Sequence, residues 1–137
     1  MKIYFAGSIT GGRDDKEIYL QMIGLLGKRG KVLTEHIGDA ALTAQGEPLP
    51  REEIYRRDMA WLTESDAVVA EVTHPSLGVG YEISKTEDMK KPLLCLYRPG
   101  EGRRLSAMIA GIPGIRVREY NSLEELPPIF EDFFKKK

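Results

Sequence analysis

The sequence predicts an α/β domain built on a doubly wound, five-stranded parallel sheet of order 2-1-3-4-5, with helices on both faces. Short apolar runs alternate with helical patterns along the chain, which is typical of parallel strands joined by right-handed crossover helices. The run from Asp66 to Val72 has a continuous apolar middle, as a strand covered on both faces requires. A length of 137 residues suits one hydrophobic core. We therefore expect a single domain over residues 1–137.

Each element follows from its local pattern. The strands are short apolar runs, and we place them at Lys2 to Ala6, Lys31 to Thr34, Asp66 to Val72, Pro92 to Tyr97 and Ile115 to Tyr120. The helices have apolar residues at helical spacing, and we place them at Asp14 to Gly30, Arg51 to Glu64, Tyr81 to Lys90, Leu105 to Ala110 and Ser122 to Phe134. Asp14 is a suitable N-cap for the first helix and Gly30 a suitable stop. Loops are predicted from Glu35 to Pro50 and from Thr73 to Gly80, and the order is that of flavodoxin-like folds.

Composition and charge exclude several classes of protein. Twenty Lys and Arg against 21 Asp and Glu give a net charge of −1. The chain therefore lacks the excess of basic residues that is typical of nucleic-acid-binding proteins. One cysteine forms no internal disulfide or structural zinc site, and His36 and His74 are too far from other ligand residues to indicate a metal. No apolar run approaches the roughly 20 residues of a membrane helix, and the segment Met1 to Gly7 becomes polar too soon for a signal peptide. We expect a soluble, cytoplasmic protein without a membrane partner.

The first candidate ligand loop follows the first strand. In this fold the ligand crevice lies where the strand order reverses, beyond the C-terminal ends of strands 1 and 3. The loop at this point consists of Gly7, Ser8, Ile9, Thr10, Gly11, Gly12 and Arg13. Its glycines and hydroxyls, just before a helix N-terminus, allow backbone N–H groups to approach an anion. The pattern is neither the dinucleotide motif nor Walker A, so we expect no NAD, ATP or other cofactor; a tight turn without a ligand is the alternative.

The second candidate loop precedes the helix that we start at Tyr81. It offers the Ser76 hydroxyl and the backbone at Gly78 to a phosphate. It also places Glu82 in the first helical turn, facing the crevice. A carboxylate there also complements the helix dipole without any catalytic role, and that reading stays open on the pattern alone.

Two further side chains are candidates for acid–base chemistry in the crevice. Asp58 lies on the helix before strand 3 and faces inwards near the end of that strand, or else it is exposed and pairs with Arg51, Arg56 or Arg57. Tyr4 lies on strand 1, where its hydroxyl reaches the crevice or caps the core. The pattern alone leaves both pairs of alternatives open.

Six segments, taken together, carry a family resemblance. They are Tyr4 to Arg13, Leu33 to His36, Asp58 to Leu62, Asp66 to Thr73, Pro75 to Glu82 and Leu105 to Ile109. These segments resemble the 2′-deoxynucleoside 5′-phosphate N-hydrolases, within the broader superfamily of nucleoside 2-deoxyribosyltransferases, which share the doubly wound fold. The string Pro-Ser-Leu-Gly-Val-Gly-Tyr-Glu at 75–82 is highly specific, whereas Asp-x-x-Trp-Leu at 58–62 is not specific by itself.

The resemblance implies a reaction and three catalytic roles. The reaction is cleavage of the N-glycosidic bond of a deoxynucleoside monophosphate, which gives the free base and 2-deoxyribose 5-phosphate. Glu82 resembles the family's nucleophile, Asp58 resembles the acid that protonates the departing base and later helps to activate water, and Tyr4 resembles the tyrosine that orients them. Such a reaction requires no metal.

The resemblance also assigns binding residues. The loop from Gly7 to Arg13, with Ser76 and Gly78, resembles the cradle for the substrate and its phosphate. His36, in the second matching segment, is a candidate on the base side of the site. The partner expected from these assignments is a small nucleotide.

The resemblance also implies a homodimer with shared active sites. Ser106, Ala107 and Met108 resemble a segment that the family lends across a dimer interface to the neighbour's site. The chain departs from vertebrate members at Ala6, where they have cysteine, and at Thr10, where they have arginine.

Two other functions fit the same sequence. A nucleoside 2-deoxyribosyltransferase passes the sugar to a second base instead of water, and an added acceptor base separates the two reactions. A non-catalytic nucleotide-binding module of flavodoxin-like fold is the alternative from a different class, but the presence of both Glu82 and Asp58 argues against it. A phospho-receiver is disfavoured because strand 1 ends without an acidic cluster.

Overall fold

A single parallel sheet organises the molecule. The computed structural model describes residues 1–8, 15–38 and 46–135. The strands are β1 (Lys2–Ala6), β2 (Lys31–Val32), β3 (Ala67–Glu71), β4 (Leu93–Tyr97) and β5 (Arg116–Glu119). They pair in parallel in the order β2-β1-β3-β4-β5. The doubly wound fold predicted from the sequence is confirmed, and the strand order reverses between β1 and β3.

Helices surround the sheet in the described part of the chain. The α-helices are α1 (Lys16–Leu26), α2 (Arg51–Glu64), α3 (Leu77–Asp88), α4 (Ala107–Ala110) and α5 (Leu126–Phe134). Two short 3₁₀ helices lie at Glu35–Gly38 and Leu123–Glu125. Among the described residues, no helix has the length and apolar character needed to cross a membrane.

Side chains alternate between the two faces of β1, and this alternation positions the site. Ile3 and Phe5 pack in the core that includes α1 and α5. Tyr4 and Ala6 point the other way, into the core that includes α2 and α3. The Tyr4 side chain therefore lies on the same face of the sheet as α3, the helix that carries Glu82.

The predicted start of α3 was wrong by four residues. The helix begins at Leu77 rather than Tyr81, because Ser76 is its N-cap and the Ser76 Oγ accepts the Val79 N–H at 3.2 Å. The glycines after Ser76 had indicated a loop, but they lie inside the helix. Glu82 consequently lies in the second turn of α3 rather than the first, too far along for the simple dipole explanation of its position.

The ends of α1 also differ from the prediction. The helix ends at Leu26 rather than near Gly30, and the Gly27 N–H still reaches back to the Ile23 carbonyl. Asp15 directly precedes the helix, and the predicted N-cap Asp14 lies outside the described residues.

Strand β2 is shorter than the predicted Lys31 to Thr34. It ends at Val32, because the Thr34 side chain takes over the pairing with β1. The Thr34 Oγ1 accepts the Phe5 N–H at 2.8 Å and donates to the Phe5 carbonyl at 2.7 Å.

The other predicted elements agree more closely with the structure. Helix α2 has the predicted bounds, and β3, β4, β5 and α4 differ by only one or two residues at their ends. The predicted closing helix from Ser122 begins as the 3₁₀ helix Leu123–Glu125 and continues as α5. Cys95 is buried in β4.

Candidate active site

A cavity of about 580 Å³ opens between α2 and α3 beside β1. Six residues singled out from the sequence line it, namely Tyr4, Gly7, Asp58, Ser76, Gly78 and Glu82. Its volume lies within the roughly 300–1,000 Å³ typical of small-molecule sites. The structure therefore brings the three predicted catalytic side chains and part of the predicted phosphate cradle to one cavity.

Glu82 is the most strongly perturbed acid in this cavity. Its carboxylate accepts a hydrogen bond from the Tyr4 hydroxyl. Burial raises the pKa of Glu82 to about 7, the negative charge of Asp58 adds to the rise, and the hydrogen bond from Tyr4 opposes it. Burial also raises the pKa of Tyr4, so its hydroxyl stays protonated and acts as a donor. Near neutral pH, Glu82 therefore exchanges between its neutral and ionised forms.

Asp58 combines both of the alternatives that the sequence left open. Its side chain lines the cavity with 27% of its surface exposed, and it also pairs with Arg57. The Arg57 Nε and Nη2 atoms lie 3.0 and 2.9 Å from the Asp58 Oδ1. Burial raises the pKa of Asp58, and the Arg57 guanidinium counteracts part of that rise. Two carboxyl groups with raised pKa values thus face one cavity.

A charged cluster supports Asp58 from the side of α2. Arg57 binds both carboxylate oxygens of Glu47 at 2.7 Å and lies 3.3 Å from the His36 Nε2. Its guanidinium also stacks over the Trp61 ring, 4.7 Å from the centroid. Glu47 lines the cavity, and His36 adjoins the cavity through Glu47, with 3.5 Å between His36 Nε2 and Glu47 Oε1. Burial lowers the pKa of His36.

The predicted phosphate cradle is described only in part. Ser8 is buried, and its hydroxyl has no hydrogen-bond partner among the described residues. The Ser76 Oγ accepts a bond from Val79, which leaves the Ser76 O–H as a donor. Within the first loop, Ile9, Thr10, Gly11, Gly12 and Arg13 lie outside the described residues.

Ser106, Ala107 and Met108 do not line this cavity. They line a separate groove of about 960 Å³ between α3 and α4, and the groove shares Ser76 and Val79 with the cavity. In the described part of the chain, no group of three or more His, Cys, Asp or Glu side chains could hold a metal ion.

Comparisons with known proteins assign the chain to a family. Residues 3–113 match the family model of nucleoside 2-deoxyribosyltransferases. A 5-hydroxymethyl-dUMP N-hydrolase of Tetraodon nigroviridis is 52% identical over 98% of this chain and 97% of that protein. The protein of the same name from Mus musculus is 50% identical over 90% of this chain and 73% of that protein.

The chain belongs to the nucleoside 2-deoxyribosyltransferase family. The resemblance stated from the sequence motifs is thereby confirmed. The solved structure of a CMP N-glycosidase of Clostridium botulinum superposes on this chain with a TM-score of 0.72 and 17% sequence identity. The superposition includes 98% of this chain and 100% of that protein. At that identity the likeness supports the fold.

Several residues that line the cavity were not predicted from the sequence as site residues. They are Ile37, Glu47, Arg51, Ile54, Tyr55, Met59 and Tyr81. The Tyr55 and Tyr81 hydroxyls lie 3.0 Å apart at the exposed side of the wall. A signal for part of this set was present, because Arg51, Ile54 and Tyr55 lie three or four residues from one another or from Asp58 and so share a face of α2 with it.

A buried polar network on the other face of the sheet was also missed. Glu71 is fully buried at the end of β3, and its carboxylate accepts the Thr73 N–H at 2.7 Å and the Tyr120 hydroxyl at 2.5 Å. Arg98 donates to the Tyr120 hydroxyl at 3.1 Å and to both carboxylate oxygens of Asp15 at 2.9 and 2.8 Å. A glutamate inside an apolar strand run was the available signal, since a buried carboxylate requires partners.

Proposed function

We propose that this chain hydrolyses the N-glycosidic bond of 2-deoxynucleoside 5′-monophosphates to the free base and 2-deoxyribose 5-phosphate. The observation that carries the proposal is the cavity in which Tyr4 binds Glu82 and Asp58 faces the same space. Relatives about half identical in sequence are named 5-hydroxymethyl-dUMP N-hydrolases, which supports a pyrimidine deoxynucleotide as the substrate.

Glu82 is the proposed nucleophile. One of its carboxylate oxygens forms a bond to the anomeric carbon while the bond from that carbon to the base nitrogen breaks, and the electron pair leaves with the base. The transition state is oxocarbenium-like, so a carboxylate beneath the ring stabilises it and then traps it. The Tyr4 hydroxyl holds the carboxylate in position through its hydrogen bond.

Asp58 is the proposed acid and base. In the first step it gives its proton to the departing base. Because burial raises the pKa of Asp58, more of this carboxyl still carries a proton near neutral pH than an ordinary aspartate would. In the second step the ionised Asp58 takes a proton from water while the water oxygen attacks the anomeric carbon. The bond to Glu82 breaks, and the carboxylate of Glu82 is regenerated.

The 5′-phosphate is proposed to bind at the start of α3. Ser76 and Gly78 line the cavity at the N-terminus of this 12-residue helix, where backbone N–H groups and the helix dipole favour an anion. The space beside the Gly78 backbone is open to a ligand. A Cβ added at Gly78 would have the Ser76 Oγ, at 3.9 Å, as its nearest heavy atom.

Base release from four deoxynucleotides tests the proposal. The protein is incubated with dGMP, dCMP, dUMP and 5-hydroxymethyl-dUMP, and the free base is separated by chromatography; a Glu82→Gln variant serves as the control. We expect release by the natural protein and none by the variant. No release from any of the four, or full activity of a folded Glu82→Gln variant, contradicts the proposal. Exchange of the sugar onto an added free base in preference to water indicates a deoxyribosyltransferase instead.

We further propose that the active unit is a homodimer with shared sites. Leu77 and Met108 are 96% and 81% exposed in the groove between α3 and α4, and a second copy that covers this groove removes both apolar side chains from water. The groove adjoins the cavity at Ser76, which supports the proposal that the segment from Ser106 to Met108 of a second copy contacts the neighbour's substrate.

Subunit mixing tests the dimer. A Glu82→Gln variant lacks the nucleophile, and a Ser106→Trp variant blocks the lent segment, so each homodimer is expected to be weak. A mixed dimer regains about one intact site when the two defects fall in the same site. If exchange is demonstrated by mass spectrometry and no activity returns, Ser106 acts in its own subunit and the shared-site proposal fails.

A cytoplasmic location belongs to the same proposal. Nucleoside monophosphates are anions that do not cross a lipid bilayer unaided, so their free pool lies inside the cell. Fractionation of cells that express the chain tests this location.

A further inference from the structure

Arg57 contacts the proposed acid but does not line the cavity. The cavity lies between α2 and α3, and Asp58 and Glu47 both contribute to its wall. Arg57 lies between these two carboxylates and binds each of them, at 2.9 Å to the Asp58 Oδ1 and at 2.7 Å to both oxygens of Glu47. Any effect of Arg57 on the reaction therefore passes through its neighbours.

The guanidinium of Arg57 is held on three sides. Glu47 binds it with two parallel bonds, which is the strongest geometry for an arginine and a carboxylate. The Trp61 ring lies under its plane at 4.7 Å, and the His36 Nε2 is 3.3 Å away. A group held in this way presents its remaining N–H edge to Asp58 in a fixed direction.

We propose that Arg57 is a positioning residue that orients the Asp58 carboxyl in the cavity wall and sets the pH range over which Asp58 carries its proton. The inference rests on the proposed function, since it assigns Asp58 as the acid. It adds a residue of this chain that the family motifs described above do not include.

The charges around Asp58 set the direction of the effect. From α2 it faces Arg57, from the 3₁₀ helix it faces His36, and from the segment before α2 it faces Glu47. Across the cavity lie Glu82 and Tyr4, whose pKa values the charge of Asp58 raises. Among these groups Arg57 is the permanent cation, so its removal makes Asp58 hold its proton to higher pH.

This direction predicts a specific pH signature. In the productive form Glu82 is ionised and Asp58 is protonated. At low pH Asp58 carries its proton with or without Arg57, so the loss of Arg57 affects only orientation there. At high pH Asp58 without Arg57 keeps its proton longer, so the activity of the variant relative to the natural protein rises with pH. An arginine beside an aspartate typically lowers its pKa by about 1–3 units, and we use the lower end because Glu47 shares the charge.

Three variants separate charge from structure. Arg57→Gln removes both the positive charge and the planar set of guanidinium N–H donors. Arg57→Lys keeps the charge without that planar set, and Arg56→Gln changes the adjacent, exposed arginine of the same helix. We expect the ratio of kcat/KM between Arg57→Gln and the natural protein to rise with pH, by about ten-fold between its low-pH and high-pH limits. For Arg57→Lys we expect this ratio to be below one and nearly independent of pH. For Arg56→Gln we expect it to be near one at every pH. KM changes by less than about two-fold, since Arg57 does not line the cavity.

A direct titration of Asp58 completes the test. NMR observation of the carboxyl carbon gives its pKa without any substrate, and we expect a rise of about one unit in Arg57→Gln. A ratio that is equal at every pH, or an Asp58 pKa that does not change, overturns the inference and leaves Arg57 with a structural role only. If the natural protein releases no base, the proposed function fails and the catalytic part of this inference fails with it, whereas the titration still decides whether Arg57 sets the proton affinity of Asp58.

Discussion

Replacement of Tyr4 by phenylalanine should shift the pH dependence of base release to higher pH. The Tyr4 hydroxyl donates to the Glu82 carboxylate, and this bond lowers a pKa that burial raises to about 7. Phenylalanine retains the ring that packs beneath α3, so the variant loses one hydrogen bond and no packing. Glu82 then binds its proton more tightly and is ionised over a narrower pH range.

The magnitude follows from the value of a hydrogen bond to a charged group. Such a bond contributes about 1.5–3 kcal/mol, and one pKa unit corresponds to about 1.4 kcal/mol. A rise of about one unit takes Glu82 from about 7 to about 8. At pH 7 the ionised fraction then falls from about one half to about one tenth, a five-fold loss, and at pH 6 the loss approaches ten-fold.

The assay is kcat/KM for base release from pH 5 to pH 9. We expect the ratio between Tyr4→Phe and the natural protein to start near one tenth and to rise towards one above pH 8, where Glu82 is ionised in both. Tyr97→Phe is the control, because Tyr97 is another buried strand tyrosine and lies outside the cavity lining. An activity ratio that is constant across this range, or no loss at all, refutes the assignment of Tyr4 to the proton balance of Glu82.

Three further predictions concern the same cavity. Glu82→Gln should stabilise the fold at pH 8 by up to about 3 kcal/mol, because burial raises the pKa of Glu82 from the usual 4.5 to about 7 in the folded protein. The natural protein therefore loses stability as the pH rises from 4.5 to about 7, and the variant does not. Urea unfolding at pH 4 and pH 8 should show the difference in free energy of unfolding only at pH 8. Removal of the 5′-phosphate should lower kcat as well as raise KM, because remote binding energy positions the sugar; equal kcat/KM for a deoxynucleoside and its monophosphate argues against the phosphate site at Ser76. Methanol as an acceptor should give a methyl glycoside with retained configuration, with about 5–5.5 Å between the carboxyl groups of Glu82 and Asp58 in a substrate complex; inversion indicates direct attack by water.

The fold was predictable because the buried strands have unambiguous patterns. The apolar middle of β3 and the alternation of strands with helices leave few arrangements of a parallel sheet. The start of α3 was less predictable, since Gly78 and Gly80 are typical of loops and only the cap formed by Ser76 reveals the helix.

The candidate site was predictable only where motifs or helical spacing carried it. Glu82, Asp58 and Tyr4 came from the motifs, and the structure places them in one cavity. Glu47 was missed because it lies in an irregular segment, where no periodicity relates a residue to its neighbours in space. Arg57 had been named only as one of three arginines that could pair with Asp58, and the choice among them depends on the orientation of α2, which a sequence does not give.

The two acids of the cavity lower the stability of the fold, and each has a specific hydrogen-bond partner. A pair of acids with only a structural role would require neither. A buried carboxyl whose pKa is raised from 4.5 to about 7 destabilises the fold progressively as the pH rises between these values, and the full cost remains at higher pH. Replacement by an apolar side chain would remove this cost. The chain instead surrounds its two acids with specific partners, Tyr4 for Glu82 and Arg57 for Asp58. Each partner favours the ionised form of its acid, whereas burial and mutual repulsion favour the neutral form. The pKa values of both acids are thereby raised above those of ordinary carboxyl groups. A nucleophile and a proton donor in one cavity require that one acid be ionised while the other is protonated.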